Sequence, residues 1–162
     1  MEIWDAYDAQ FKKVENKRLV RGEAIPDGLF HLVCDILVKH MDGTYLLMQR
    51  DLRKEFGGMW EATAGGSALT GETPFECAKR ELWEETGVVS DELAEVGCII
   101  DHQAHSIYVE FLCVTDWNKD NISLQEGETI AFRWVDRDQL VNMRNDELVT
   151  KRMQKFITEL SR

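Results

Sequence analysis

Long apolar runs are missing from this chain: nothing approaches the roughly eighteen consecutive apolar residues that a transmembrane helix needs. The opening Met1-Glu2-Ile3-Trp4-Asp5 is acidic and lacks an apolar core, so it does not read as a secretory signal. Cysteine is sparse and ungrouped: Cys34, Cys77, Cys98 and Cys113 stand singly, with no CxxC or metal-ligand spacing. With two in expected strands and one in an expected helix, they read as buried free thiols of a reducing, cytoplasmic compartment. Positive charge is the scarcer sign: 19 Lys and Arg face 30 Asp and Glu, a formal net charge of -11. A phosphate backbone needs a basic footprint, so this balance argues against polymeric nucleic acid as the main partner, though not against a small phosphorylated ligand. Repeats, low-complexity runs and linkers are also lacking. The 162 residues, 44% of them hydrophobic, are expected to form one domain over 1–162 with a real core.

What is present divides by pattern. Residues 1–27 read as an N-terminal extension with a short strand or two, ending in the turn Ile25-Pro26-Asp27-Gly28. Basic residues gather there (Lys12, Lys13, Lys17, Arg18, Arg21) and again at Arg50, Arg53 and Lys54; both groups read foremost as solvated surface. Leu29 to Val38 and Tyr45 to Arg50 are apolar runs rich in strand formers, with Asp42-Gly43 between them as a hairpin signal. Trp60 to Ala64, Val96 to Ile100, Ser106 to Thr115 and Ile130 to Val135 read as further strands. A turn at 136–138 starts a short helix, and Glu147 to Leu160 reads as a final amphipathic helix. Strands, helix, strands, helix in that order imply an α/β (α+β) mixed sheet with helices on both faces.

The most informative segment is GGSALTGETPFECAKRELWEETGV. Thr73 is placed as N-cap, Pro74 as the first helical residue, Glu76 as the partner of a capping box and Gly87 as the residue that stops the helix. Phe75, Ala78 and Leu82 share an apolar stripe. Beside it Glu81, Glu84 and Glu85 project within roughly 100° of one another, a spacing at which like charges repel. Three oxygen ligands converging on a hard divalent cation such as Mg2+ or Mn2+ would remove that repulsion.

Gly66, Glu72 and Arg80-Glu81-Leu82-x-Glu84-Glu85-x-Gly87-Val88 together resemble a complete Nudix box over 66–88, of the MutT-like kind. The resemblance implies a curved mixed sheet sandwiched between helices and the metal-dependent hydrolysis of a diphosphate bond in a small organic diphosphate. It also implies Glu84 and Glu85 as principal ligands of Mg2+, for which Mn2+ can substitute. Glu81 becomes a further ligand or an orienter of water, the Gly66 carbonyl completes the site, and Arg80, paired with Glu72, holds the acidic face in place. Many such enzymes recruit another acid after the box; Glu128 is preferred to Glu126 as that catalytic residue. Arg50, Trp60 and His31 are expected near the substrate, with packing the leading reading for Trp60. His102 and His105 read as loop residues.

Residues 1–70, through Gly22-Glu23, Gly28-Leu29-Phe30-His31 and Phe56-Gly57-Gly58-Met59-Trp60, are similar to the isopentenyl-diphosphate-isomerase-like branch of the superfamily. His31 matches a metal-ligating histidine there, but Ala64 and Gly66 stand where those isomerases place a catalytic cysteine and a second histidine ligand. Isomerisation needs acid and base on opposite faces, so it remains the runner-up. A non-catalytic nucleotide-metabolite sensor is the third reading, opposed by the intact carboxylates. Pro26 and Pro74 are the only prolines, so the downstream proline of ADP-ribose and NADH hydrolases is lacking. Nucleoside diphosphates, nucleotide sugars and isoprenoid diphosphates remain as substrates, and the extension before Gly28 is available for a homodimer.

Overall fold

The computed structural model describes residues 1–149 and 157–159. The N-terminal extension forms an antiparallel hairpin, β1 (Ile3–Tyr7) and β2 (Lys13–Val20). Strand alternation turns Trp4, Ala6 and Leu19 inward, against Val14, Ile25 and Leu29. Asp5, also buried, pairs with Lys13 at 2.9 Å and Arg18 at 3.3 Å and accepts the Gly71 N–H at 2.8 Å. Burial opposes its ionisation, but these partners outweigh burial and hold the carboxyl below its ordinary pKa. Two of the basic residues read as solvated surface therefore neutralise a buried acid.

β3 (His31–His40) and β4 (Tyr45–Arg50) follow, joined by a turn in which Gly43 takes a φ of 93°, a conformation that favours glycine. The expected hairpin closes only at Lys39↔Tyr45. Beyond that point β3 is flanked by β8 (Ser106–Thr115, parallel) and β6 (Thr63–Ser67, antiparallel), while β4 pairs with β9 (Thr129–Val135) and the short β5 (Trp60–Glu61). β7 (Leu93–Asp101) adds the edge beside β8. The mixed sheet thus divides where β3 and β4 part, each taking its own further partners.

Both faces of β3 contribute to a core, one more fully than the other. Leu32, Cys34, Ile36 and Val38 join Cys77, Ala78 and Leu82 of α1 (Pro74–Thr86), whereas Leu37 joins Leu47, Leu140 and Leu148 on the opposite face. α1 is capped as expected: Thr73 and Glu76 form the capping box, and Gly87 takes a φ of 78°. Phe75, expected on the apolar stripe, is exposed instead, because Cys77 takes the core-facing position in the first turn. Cys98 on the edge strand is also exposed, while the other three cysteines are buried. After α2 (Arg137–Val141) the chain turns at 145–147, and Leu148 bridges to Trp60. The final helix therefore does not begin at Glu147, whose carbonyl accepts the Trp60 N–H at 2.7 Å. Residues 157–159 are helical; the rest of that expected element lies outside the described residues.

Candidate active site

α1 supplies one wall of a cleft of about 490 Å³. Glu81, Glu84 and Glu85 face it while Ala78 and Leu82 enter the core. Like charges at this spacing repel, and Arg80 is the residue that offsets them. Its Nε and Nη2 grip Glu72 at 2.6 and 2.9 Å, Nη1 donates to Glu81 at 2.7 Å and Glu84 at 3.1 Å, and Nη2 also reaches the Ser67 carbonyl at 3.1 Å. Pairing with Glu72 above all, then with Glu81, raises the Arg80 pKa further. Burial opposes ionisation of Glu72, yet Arg80 and the Leu69 N–H hold its carboxyl below the ordinary value.

Glu85 departs in the other direction. It accepts the Gly65 N–H at 3.1 Å, but burial, then the charges of Glu61 and Glu81, push its pKa well above the usual carboxylate range. Burial also raises Glu81 against the pull of Arg80. Glu81 keeps Arg80 as its counter-charge, whereas Glu85 has the Gly65 N–H. A Cβ at Gly66 would come within 2.5 Å of a Glu81 carboxylate oxygen, so any side chain there would displace the Glu81 carboxylate from its present place. Carboxylate and backbone oxygens are the donors that hard divalent cations take. Among the described residues no three His, Cys, Asp or Glu side chains are gathered as a ready-made metal cage; Arg80 engages Glu81 and Glu84 together.

The facing wall is assembled from distant segments: Glu2 and Arg21 from the hairpin, Lys54 from the loop after β4, Gln125 and Glu128 from the loop before β9. Lys54 forms an ion pair with Glu128, and the Asp51 N–H donates to the Glu128 carbonyl at 2.9 Å, tying the two loops. Of the two acids expected after the box, Glu128 lines the cleft and Glu126 does not.

A second cleft of about 290 Å³ meets the first at Lys54, Gly65 and Glu85. Arg50 lies there rather than in the main cleft, its Nη1 paired with Glu61 and its Nε donating to the Glu55 carbonyl at 2.8 Å. Burial raises the Glu61 pKa despite Arg50. Glu61 and Asp35, which line this cleft, were not anticipated as site residues. The available signal was a carboxylate within each of two segments that otherwise read as strands, Leu29 to Val38 and Trp60 to Ala64.

Two residues expected near the substrate line neither cleft. Trp60 lines neither cleft; Arg133 stacks over its ring at 4.4 Å and it packs against the core around Leu37. His31 stands behind the cleft wall, stacked on Trp4 at 4.3 Å, with its ring nitrogens 3.2 Å from the Ser67 hydroxyl and 2.7 Å from that of Ser106. Burial lowers its pKa to about 4, so it is neutral at pH 7. With both nitrogens engaged, it is not poised as a metal ligand. His102 and His105 pack around Phe30.

A sequence model of the NUDIX domain matches residues 29–160. An uncharacterized Nudix hydrolase of Listeria monocytogenes is 29% identical over 147 residues, which span 90% of this chain and 86% of the relative. An isopentenyl-diphosphate Delta-isomerase of Corynebacterium diphtheriae is 24% identical over 127 residues, spanning 72% of this chain and 69% of the enzyme. The crystal structure of DR0079 from Deinococcus radiodurans has the same fold, with a TM-score of 0.79 and 17% identity over 99% of this chain and 100% of that one.

Proposed function

The chain belongs to the NUDIX-domain family of hydrolases, and on that premise we propose that it cleaves the diphosphate bond of a nucleoside diphosphate derivative or similar small organic diphosphate, using Mg2+ or Mn2+. The observation that carries this reading is the placement of Glu81, Glu84 and Glu85 on one wall of a cleft whose other wall bears Lys54 and Glu128. Those three carboxylates and the Gly66 carbonyl would hold the cation. When bound, it neutralises the diphosphate and activates water for attack at phosphorus.

The chain's own groups do the rest. Arg80 keeps Glu72 and the Gly66–Ser67 loop docked against α1, so the acidic face is held before substrate arrives. The Gly65 N–H fixes the orientation of Glu85. Glu128 takes a proton from the attacking water as the bond from phosphorus to the bridging oxygen breaks. Lys54 lies beside it and neutralises charge on the departing phosphate. Isomerase chemistry lacks support from the site, since Ala64 and Gly66 offer no side-chain acid or ligand and His31 is turned to Ser67 and Ser106.

Phosphate release from a panel of nucleoside diphosphates, nucleotide sugars and isoprenoid diphosphates, with Mg2+ and with Mn2+, tests the proposal. Turnover of at least one class, fastest at mildly alkaline pH and abolished by chelation, is expected. Turnover that survives exhaustive chelation would overturn it.

A further inference from the structure

The β1–β2 hairpin lies outside the residues that the NUDIX-domain model matches, 29–160, yet it lends Glu2, Trp4 and Arg21 to the cleft of the box carboxylates. Its attachment is firm. The Thr70 N–H and hydroxyl both donate to the Ile3 carbonyl at 3.0 Å, and the Gly71 N–H donates to the buried Asp5. The rim of the hairpin is therefore fixed relative to the loop between Gly66 and α1.

At that rim Glu2 accepts the Trp4 indole N–H at 2.7 Å and the Arg21 Nη1 at 3.0 Å, while the Arg21 backbone N–H donates to the Glu2 carbonyl at 3.0 Å. Trp4 is pinned in turn by stacking on His31. A relay from His31 through Trp4 and Glu2 thus orients one guanidinium at the cleft mouth. A guanidinium carries five N–H donors. Those of Arg80 are directed to Glu72, Glu81, Glu84 and the Ser67 carbonyl, and Lys54, paired with Glu128, is placed to serve the scissile diphosphate itself. Among the described residues Arg21 is bonded through Nη1 alone, and its side chain is 69% exposed. It keeps an open fork of the kind that binds phosphate oxygens in pairs.

We propose that Arg21 reads a further negative group on the substrate, making the hairpin rim a subsite for a phosphate beyond the scissile diphosphate. Compounds ending in a free phosphate are then preferred over those whose diphosphate is capped by a neutral group. An isoprenoid tail at this rim would offer these donors no acceptor, and a neutral sugar would offer hydroxyls without the charge that strengthens the contact. The inference relies on the proposed diphosphate site only for where the scissile bond lies.

Calorimetric titration of the full chain in Mg2+ with inorganic tripolyphosphate and with pyrophosphate tests it, on the wild type, Arg21→Gln and Arg21→Lys. Arg21→Gln is expected to weaken tripolyphosphate binding by about tenfold or more, the scale of a lost charge-assisted contact. Pyrophosphate binding should change by less than about twofold, and Arg21→Lys should fall between, since it keeps the charge but loses the fork. The melting temperature should not move, because the side chain is exposed. Equal losses for both anions, no loss for either, or a wild type that does not prefer tripolyphosphate would overturn the subsite. Arg21-dependent preference in a protein that turns over no diphosphate would instead reject the hydrolase reading and leave the subsite standing.

Discussion

On the α1 wall of the cleft the acids lie on or beside one helix, and a single guanidinium, Arg80, meets Glu72, Glu81 and Glu84 together. On the facing side each cation has its own partner from another segment: Lys54 with Glu128, Arg21 with Glu2 and, in the adjoining cleft, Arg50 with Glu61. The first arrangement is a network centred on one cation, in which losing Arg80 leaves several carboxylates unmet. The second is a set of separable pairs, and the more exposed of them, Lys54–Glu128 and Arg21–Glu2, contribute only about 0–1 kcal/mol each, so they can exchange partners with a substrate. Substitutions on the α1 wall should therefore act on turnover, and those on the facing wall mainly on affinity.

The largest effect is expected at Glu85. Glu85→Gln should leave almost no turnover while the metal-free protein stays folded and as stable as wild type or more so, because a buried carboxylate crowded by Glu61 and Glu81 is removed. A raised KM with an intact kcat would show that the α1 wall behaves like the facing one. Next comes Glu128, the facing-wall residue given a chemical role. Glu128→Gln should lower kcat by about 10²–10⁴ with little change in KM, and a loss below tenfold would reduce the Lys54–Glu128 pair to a tie between loops. Arg80→Ala should cost ~10–100-fold in activity or metal affinity. Lys79→Ala is the control, since Lys79 pairs with Asp91 away from the cleft, and equal losses in the two variants would contradict the network.

The smallest effect is on stability, where the hairpin meets the sheet. His31 is held near a pKa of about 4 by burial, below its ordinary 6.5, so between those values the unfolded chain binds the proton more readily than the folded one. Its contribution is full above about pH 6.5 and declines as pH falls toward about 4, by up to ~1.4 kcal/mol per pH unit. Denaturant unfolding at pH 7 and pH 5 should show a larger loss in the wild type than in His31→Gln. Identical losses would mean that His31 titrates normally.

The same contrast explains what could be read from the sequence. The α1 wall was legible because capping, apolar stripe and acidic face are set by neighbours three or four residues apart, and Thr73, Glu76 and Gly87 stand where the spacing put them, while the Glu72–Arg80 pair is the one the family resemblance implied. The facing wall depends on pairings distant in the chain. Nothing local to Lys54 or Arg21 separates a cation that lines a cleft from one that meets only water, and nothing near Glu61 announces Arg50 across β4 and β5. Trp60 packs as its leading reading had it, but its neighbours are distant ones, Arg133 and the bridge to Leu148, which also replaces the first turn of the expected last helix. Phe75 shows that even a correct helical period does not say which edge of the stripe is covered.

The central claim, that the acidic face of α1 is a divalent-cation site, is tested most directly by linkage. Mg2+ at 100 times its dissociation constant should stabilise the wild type by about 2.7 kcal/mol, read as a rise in melting temperature. Glu84→Gln, with the metal-free stability of wild type or slightly more, should show much less of that rise. Equal Mg2+-induced shifts in the two proteins would contradict the account even if the variant were inactive.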